Sequence, residues 1–206
     1  MNQLIAYALP IYIVLFFYYV YVIQNKRISE KTNAVINQLP KDDTIQSLLG
    51  MYFKVVHYTT IISLVIQGIY PSSMNHLHPI KFIKQNAFIY LGLICLTICS
   101  ILAILSQKEM KNSWRMGIDY TSKTTLITHG IFGYSRNPFF VCLTGIFLSL
   151  FLILPNILTL FLWIIEWMLI TLQIRLEEAY LTSKHGQNYL DYTKKTPRYL
   201  GIKSIV

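Results

Sequence analysis

Apolar residues in this chain are grouped into long, nearly uncharged runs that polar and basic segments separate. The runs at 4–23 and 86–105 contain no charged residue, and the run at 52–70 is apolar beyond Lys54 and His57. A helix needs roughly 20 residues to cross the hydrocarbon core of a bilayer, and each run is close to that length. The pattern therefore predicts three transmembrane helices in the first half of the chain.

A fourth apolar run, at 138–174, is about twice as long as one spanning helix requires. Pro155 and Asn156 lie at its centre, where proline ends a helix and the pair favours a turn. We interpret the run as a hairpin of two helices, at 138–154 and 157–176. The predicted fold is all-α and polytopic, with five transmembrane helices, a hairpin of the fourth and fifth, and a cytoplasmic C-terminal helical segment.

Composition agrees with this fold, since 54% of the 206 residues are hydrophobic and 13% are charged. A soluble domain carries about 25% charged residues. We expect one membrane domain that covers residues 1–206.

The net charge of +9 reflects basic residues that are unevenly distributed along the chain. Sixteen of the eighteen lysines and arginines lie in the segments 24–54, 107–136 and 175–206. Because positive charge favours the cytoplasmic side, five spans with the N-terminus outside place all three segments, and the C-terminus, in the cytoplasm. The basic surplus is then explained by topology and by contact with anionic lipid, and not by nucleic-acid binding.

Two further expectations concern the cytoplasmic segments. Trp114, Ile118 and Tyr120 are expected to anchor residues 107–135 at the level of the lipid headgroups. Residues 177–196 are expected to continue the fifth helix out of the membrane, with a break at Gly186.

No metal site is expected, because the three cysteines lie inside predicted spans without histidines at ligand spacing; they are Cys95, Cys99 and Cys142.

The order and spacing of polar residues in the last third of the chain carry the most specific signal. Residues 129–140 read HGIFGYSRNPFF before the predicted hairpin, and Glu177-Glu178 follows it. Residues 186–192 then read GQNYLDY, and Pro197-Arg198 closes the series. This arrangement resembles the integral membrane methyltransferases of the isoprenylcysteine carboxyl methyltransferase and phospholipid methyltransferase superfamily, over about Trp114–Arg198.

The chain departs from the usual pattern of these enzymes at three positions. Asn137 stands where many members have histidine, so this position can form hydrogen bonds but cannot titrate. Phe140 replaces a usual tyrosine, and His185 replaces a usual phenylalanine. If the usual histidine accepts a proton, that role is vacant here or filled by another group; if it only positions the cofactor, Asn137 can substitute for it.

The resemblance implies S-adenosylmethionine as methyl donor, S-adenosylhomocysteine as product, and a cofactor region at 129–138 plus 177–198. Arg136 and Glu178 are the expected catalytic residues. The expected cofactor-binding residues lie in the motif segments: His129, Gly130, Tyr134, Asn137, Pro138, Glu177, Glu178, Tyr189, Tyr192 and Arg198. The assignment is physically reasonable, since carboxylates accept hydrogen bonds from ribose hydroxyls or an amine, arginine pairs with a carboxylate, and aromatic rings cover adenine or a sulfonium.

Glu166 lies outside the motif and midway along the predicted fifth span, where a carboxylate is costly and is by default functional. Glu166, Gln173 and Glu177 share one helix face because they are spaced by seven and four residues. We expect Glu166 and Gln173 to line a cleft through which the methyl acceptor enters from the bilayer. The alternative is a structural Glu166 that bonds to a neighbouring helix, for example to His57 or to a tyrosine.

The favoured activity is methyl transfer at the cytoplasmic membrane face to a lipid-like acceptor, with carboxyl O-methylation of an isoprenylcysteine-type substrate as the named expectation. N-methylation of a phospholipid and S-methylation of a small thiol remain open. Outside this class, a membrane NADPH-dependent reductase and a non-enzymatic transporter or assembly factor are alternatives. The expected partners are the bilayer and the acceptor, with no nucleic acid, and the sequence gives no indication of oligomeric state.

Overall fold

The computed structural model describes residues 3–32, 36–38, 44–80, 82, 85–118 and 125–201. Regular structure in these residues is helical, and no strand longer than an isolated bridge occurs in them. The helices are α1 (Gln3–Tyr18), which continues through a π turn (Tyr19–Ile23) into α2 (Gln24–Thr32), then α3 (Ile45–Ile69), α4 (Ser73–His76), α5 (Asn86–Met110), α6 (Pro138–Ile153), α7 (Ile157–His185) and α8 (Gln187–Lys195).

Four of these helices are long and apolar enough to cross a membrane, namely Leu4–Lys31, α3, α5 and α7. The predicted all-α, membrane-embedded fold is confirmed. The fifth apolar helix, α6, has 16 residues and an axial length of about 24 Å, which is shorter than the roughly 30 Å hydrocarbon core. The exact count of five spans, and the hairpin of the last two, therefore stay predictions.

Local sequence sets where the helices begin and end. Thr44 caps α3, because its side-chain Oγ1 accepts a hydrogen bond from the Ser47 amide at 3.2 Å. Asn156 caps α7 in a reciprocal capping box with Thr159. The predicted break between α7 and α8 is confirmed at Gly186, where φ is +53°.

The packing follows a series in which α5 contacts α6, α6 contacts α7, α7 contacts α3, and α3 contacts α1. Gln107 at the end of α5 donates to the Val20 carbonyl at 2.9 Å, so the first and last members of this series also meet. A Cβ on Gly92 would lie 2.7 Å from the Ile153 side chain, which shows how closely α5 and α6 approach. The helices thus surround an interior space.

Large apolar side chains also cover the outer surfaces of the helices. They include Leu15, Ile62, Ile66, Ile94, Ile101, Phe161 and Met168, each more than half exposed except for Ile66 at 48%. An exposed apolar surface of this extent marks a region that contacts another apolar phase. The outer surface therefore fits contact with lipid acyl chains.

Two of the expected headgroup anchors are buried instead. Trp114 is 5% exposed, packs edge-on against Phe139 with ring centroids 4.9 Å apart, and donates from Nε1 to Asn25 at 2.8 Å. Ile118 is 6% exposed, and Tyr120 lies outside the described residues. The prediction was wrong for Trp114 and Ile118, because the segment after α5 folds onto α2 and α6 and leaves no free surface for these side chains.

Candidate active site

The segment that precedes α6 forms a 3₁₀ turn at Gly130–Gly133, which Glu109 of α5 holds in place. The Ile131 amide donates to Oε2 of Glu109 at 3.0 Å. Gly130 has φ of +60°, and a Cβ there would lie 2.3 Å from the same oxygen. Position 130 therefore favours glycine for two reasons: its φ is positive, and a side chain there would meet the Glu109 carboxylate. The role of Glu109 was not predicted, because the residue lies at the end of an apolar helix outside the motif.

Glu178 of α7 connects the two motif segments. Its Oε1 accepts from Arg136 Nε at 3.1 Å and Nη2 at 3.0 Å, and from Asn137 Nδ2 at 3.2 Å. Its Oε2 accepts from Arg198 Nε at 2.8 Å and Nη2 at 2.7 Å. One carboxylate therefore compensates two guanidinium groups, and the pairing raises the pKa of Arg198 further above its usual value.

Arg136 completes the connection through main-chain groups. Its Nη1 donates to the carbonyls of Thr193 at 3.2 Å and Thr196 at 2.7 Å, and its own amide donates to the Pro197 carbonyl at 2.9 Å. The structure thus brings the segments 129–138 and 177–198 together, as the sequence predicts. Because four of the five guanidinium N–H groups are already engaged, this arrangement favours a structural clamp. The catalytic roles of Arg136 and Glu178 stay predictions.

A cavity of about 500 Å³ extends from this clamp into the helix bundle. At the clamp end, polar groups line its wall: Arg136, Asn137, Gln173, Glu177, Tyr189 and Tyr192. Toward the bundle the wall is aliphatic and aromatic: Val14, Phe17, Phe53, Ile61, Phe140 and Leu143. A single cavity therefore offers a polar half and an apolar half.

The two tyrosines of α8 make different use of their hydroxyls. The rings of Tyr189 and Tyr192 pack edge-on with centroids 6.1 Å apart. Tyr192 donates to the Phe132 carbonyl at 2.5 Å, whereas the buried Tyr189 hydroxyl has no hydrogen-bond partner among the described residues. Burial raises the pKa of both hydroxyls above the usual value, so both stay neutral and able to donate at physiological pH.

Gln173 and Glu177 form a second polar pair on the cavity wall. The Gln173 amide donates to Oε1 of Glu177 at 2.8 Å, across one turn of α7. Glu177 forms no ion pair with any residue that the structure describes. The adjacent carboxylates thus have different environments: Glu178 is paired with arginines, and Glu177 faces the cavity.

Glu166 is fully buried, with 0% exposure, and lies behind the cavity wall. Its Oε1 is 3.3 Å from Nε2 of His57 on α3, and its Oε2 has no partner among the described residues. His57 does line the cavity. The sequence suggested His57 only as a structural partner of Glu166, because a single histidine in an apolar run gives no signal of a cavity.

Several predicted residues lie away from the cavity. Tyr134 is 75% exposed and does not line it, and neither do His129, Gly130 and Arg198. Pro138 and Asn137 do line it. Conversely, the cavity wall includes residues that the sequence did not assign to the site, and these are Lys54, Trp114, Arg115, Met116 and Leu181.

Comparison with known proteins agrees with this geometry. A family model described as phospholipid methyltransferase matches residues 87–188, which include both α6 and the Glu177-Glu178 pair. This match confirms the resemblance to integral membrane methyltransferases that the motifs predict. Together with the four long apolar helices, it supports an integral, multi-pass membrane protein.

A solved structure supports the fold over the whole chain. The structure is described as the eukaryotic intramembrane Ras methyltransferase ICMT, isoprenylcysteine carboxyl methyltransferase, without a monobody. The TM-score is 0.68 at 17% sequence identity, and the match covers 100% of this chain and 68% of that chain. Among curated proteins, no sequence matches the chain. At this identity the similarity establishes that the two chains share a fold.

Proposed function

We propose that this methyltransferase transfers a methyl group from S-adenosylmethionine to a lipid-like acid whose apolar tail lies in the inner half of the cavity. The observation that carries the proposal is the continuous cavity of about 500 Å³, polar at the clamp and apolar within the bundle. Such a cavity offers a polar wall to one reactant and an apolar wall to the other, and the apolar wall excludes water from the reaction.

The polar half has the chemistry that the donor requires. The Tyr189 hydroxyl is buried without a partner in the part of the chain that the structure describes, the Glu177 carboxylate faces the cavity, and Asn137 lies on the same wall. These groups would hold the ribose hydroxyls, the amino group and the adenine edge. When bound, S-adenosylmethionine supplies a methyl group on a positively charged sulfur, which the tyrosine faces and Glu177 favour electrostatically.

The acceptor that we propose is a carboxylate, as in an isoprenylcysteine. A carboxylate is ionised near neutral pH and needs no proton acceptor at the motif, which agrees with Asn137 at the position of the usual histidine. Lys54 lies on the cavity wall, and its ammonium has no hydrogen-bond or ion-pair partner among the described residues. A cation there would favour the approach of an anionic acceptor. The similarity to ICMT is in line with this acceptor.

A second candidate is N-methylation of an aminolipid. The description of the matching family, phospholipid methyltransferase, favours it. An amine acceptor would have to lose a proton before or after transfer, so this reaction would depend on a base that the carboxylate reaction does not need.

We also propose that the site faces the cytoplasm, with the N-terminus outside. The clamp lies at the end of the bundle where α5 ends, α6 begins and α7 leaves its apolar stretch. The described basic residues Lys108, Lys111, Arg115 and Arg175 lie in these connections. Their sign supports a cytoplasmic placement by the positive-inside rule.

Calorimetric binding of S-adenosylhomocysteine to detergent-purified protein tests the donor half. We expect micromolar-range binding by the wild type and at least about tenfold weaker binding by Glu177→Gln, because a charged acceptor of hydrogen bonds is lost. Glu30→Gln is the matched control, since Glu30 is exposed and pairs only with Lys26 across one turn. Absence of binding by folded wild type would refute the proposal, and NADPH binding in its place would support a reductase.

The acceptor class follows from the chemistry of the product. Tritiated methyl transfer is measured with an S-farnesylated N-acetylcysteine, with phosphatidylethanolamine and with a small thiol. A methyl ester releases volatile methanol in mild base, whereas N-methyl and S-methyl products do not. We expect base-labile counts with the farnesylated acid. Base-stable counts with phosphatidylethanolamine would instead establish the second candidate.

A further inference from the structure

His57 of α3 and Glu166 of α7 form a polar pair inside the apolar bundle. Nε2 of His57 lies 3.3 Å from Oε1 of Glu166, whose side chain is 0% exposed. Aromatic rings from α1, from the π turn that continues it and from α6 enclose the imidazole, with Phe17 stacked at 4.5 Å, Tyr21 at 5.8 Å and Phe147 at 5.7 Å between centroids. Rings packed on its faces fix the plane of the imidazole, and Glu166 fixes its direction.

The second nitrogen of His57 is available to a ligand. Its Nδ1 forms no hydrogen bond with any residue that the structure describes and is not among the fully buried polar atoms. His57 lines the cavity and its side chain is 13% exposed. An imidazole with one nitrogen held by a carboxylate and the other facing a cavity is arranged to act on a bound molecule.

The position of this pair lies beyond the donor-binding end. Glu166 precedes Gln173 by seven residues on α7, which corresponds to about 10 Å along the helix axis, and Glu177 lies about 6 Å farther. The cavity is continuous between these levels and becomes apolar beyond His57, at Val14 and Ile61. The pair therefore lies between the polar half of the cavity and the space suited to an apolar tail.

We propose that His57, held at Nε2 by Glu166, binds the carboxylate of the methyl acceptor through its Nδ1–H. This inference rests on the proposed function. His57 would be an acceptor-binding residue, and Glu166 a positioning residue that acts through it. Lys54, one helical turn before His57, lies on the same cavity wall, as do the neutral side chains of Tyr21 in the π turn and Gln173 on α7.

The charges balance through the reaction. One carboxylate oxygen of the acceptor accepts the Nδ1–H, and the other attacks the methyl carbon. The carbon–oxygen bond forms while the carbon–sulfur bond breaks and its electron pair remains on sulfur. The ester is neutral, no proton is released or taken up, and the His57–Glu166 pair carries the same number of protons after the transfer as before it.

Steady-state kinetics with the S-farnesylated N-acetylcysteine test the proposal on His57→Phe, Glu166→Gln and the double variant. Phenylalanine keeps a ring in the aromatic stack but removes both nitrogens. We expect His57→Phe to raise the acceptor KM at least about tenfold, because a charged hydrogen bond is lost. The dissociation constant of S-adenosylhomocysteine should change less than about twofold, since His57 lies beyond the donor.

The double variant distinguishes positioning from packing. If Glu166 acts through His57, the single variant Glu166→Gln has a raised acceptor KM, and the double variant has the same acceptor KM as His57→Phe alone. The matched control is Gln107→Leu, which removes another buried interhelical hydrogen bond, to the Val20 carbonyl, away from the cavity. This control should lower thermal stability and leave the acceptor KM unchanged. His57→Gln, which retains an N–H donor, should recover part of the affinity.

Two results overturn the inference without affecting donor binding. One is an unchanged acceptor KM in folded His57→Phe, and the other is an additive effect of the two substitutions. A wild type that binds S-adenosylhomocysteine but methylates only phosphatidylethanolamine would overturn the carboxylate-binding role as well. Failure of the wild type to bind S-adenosylhomocysteine would instead refute the proposed function itself.

Discussion

Two adjacent glutamates show how individual residues divide the work of this site. Glu178 accepts hydrogen bonds from Arg136, Asn137 and Arg198, while Glu177 accepts one from Gln173 and faces the cavity. The same side chain thus has a structural environment at one position and a ligand-accessible one at the next. Substitution of Glu178 should therefore affect mainly stability, and substitution of Glu177 mainly ligand binding.

Glu178→Gln should lower the free energy of unfolding by about 3–5 kcal/mol, because two guanidinium groups, one of them buried, lose their counter-charge. Glu177→Gln should change it by less than about 0.5 kcal/mol, since no ion pair is broken. Thermal unfolding in detergent without ligand checks both. Equal destabilisation by the two substitutions would contradict the assignment of Glu178 to the clamp.

Gly130→Ala should destabilise the protein by about 1–3 kcal/mol, because alanine disfavours a positive φ and its Cβ would collide with the Glu109 carboxylate. Gly133→Ala, in the same turn, is the control. Its Cβ would meet only the Thr128 carbonyl at an ordinary 3.8 Å. The measurement is again the midpoint of thermal unfolding, and a larger shift for Gly133→Ala would be inconsistent with the role of Glu109.

Residue identity predicted the clamp better than the cavity. Arg136, Glu178 and Arg198 were recognisable because their order along the chain is distinctive. His57 and Glu109 were missed as site residues, because each is a single polar residue in or beside an apolar helix and nothing in its neighbourhood sets it apart. Which polar group faces a cavity depends on the rotation of helices against each other, and a single sequence does not specify that rotation.

At the scale of elements, the turn between α6 and α7 is more extensively held than a loop requires. Asn156 caps α7, and its side-chain amide also donates to Oε1 of Gln67 on α3 at 3.3 Å. The Ile157 amide donates to the Leu77 carbonyl at 3.2 Å and the Ile80 amide to that of Pro155 at 2.9 Å. The turn therefore fixes where α6 and α7 lie relative to α3, and with them the walls of the cavity.

Asn156→Ala should reduce stability by about 2–3 kcal/mol, since it removes a helix cap and leaves the buried side-chain oxygen of Gln67 without the Asn156 donor. Thr44→Ala is the comparison, because Thr44 caps α3 at a partly exposed position with one bond and should cost about 1 kcal/mol. Denaturant or thermal unfolding of the two variants checks the difference. Similar losses would argue that the contact with α3 contributes little.

Element boundaries followed from sequence where a local signal exists. The start of α6 at Pro138, the turn at Pro155-Asn156 and the break at Gly186 were all predicted. The helix of the first apolar run extends farther than the predicted span at 4–23, since it continues through a π turn into α2. An apolar run marks the part of a helix that contacts the hydrocarbon core. The helix itself can continue beyond that run through polar residues that also favour helix.

At the scale of the whole molecule, the apolar outer surface and the polar clamp at one end define an oriented membrane protein. Single cysteines introduced for His76 and Ser183, both exposed, test the orientation in a chain whose native cysteines are replaced by serine. We expect a membrane-impermeant maleimide to label position 76 in intact cells and position 183 only after permeabilisation, because basic residues favour the cytoplasm. The reverse pattern would invert the proposed topology.

The clamp is formed largely with the main chain of the C-terminal segment. Arg136 contacts the carbonyls of Thr193, Thr196 and Pro197, and Asn137 contacts that of Arg198. Carbonyls are common to all residues, so the side chain at 193, which is not buried, is open to substitution. The distance along the chain between these carbonyls and Glu178 is not. A one-residue insertion between α8 and Pro197 would bring the wrong carbonyls to Arg136 while leaving every motif letter intact.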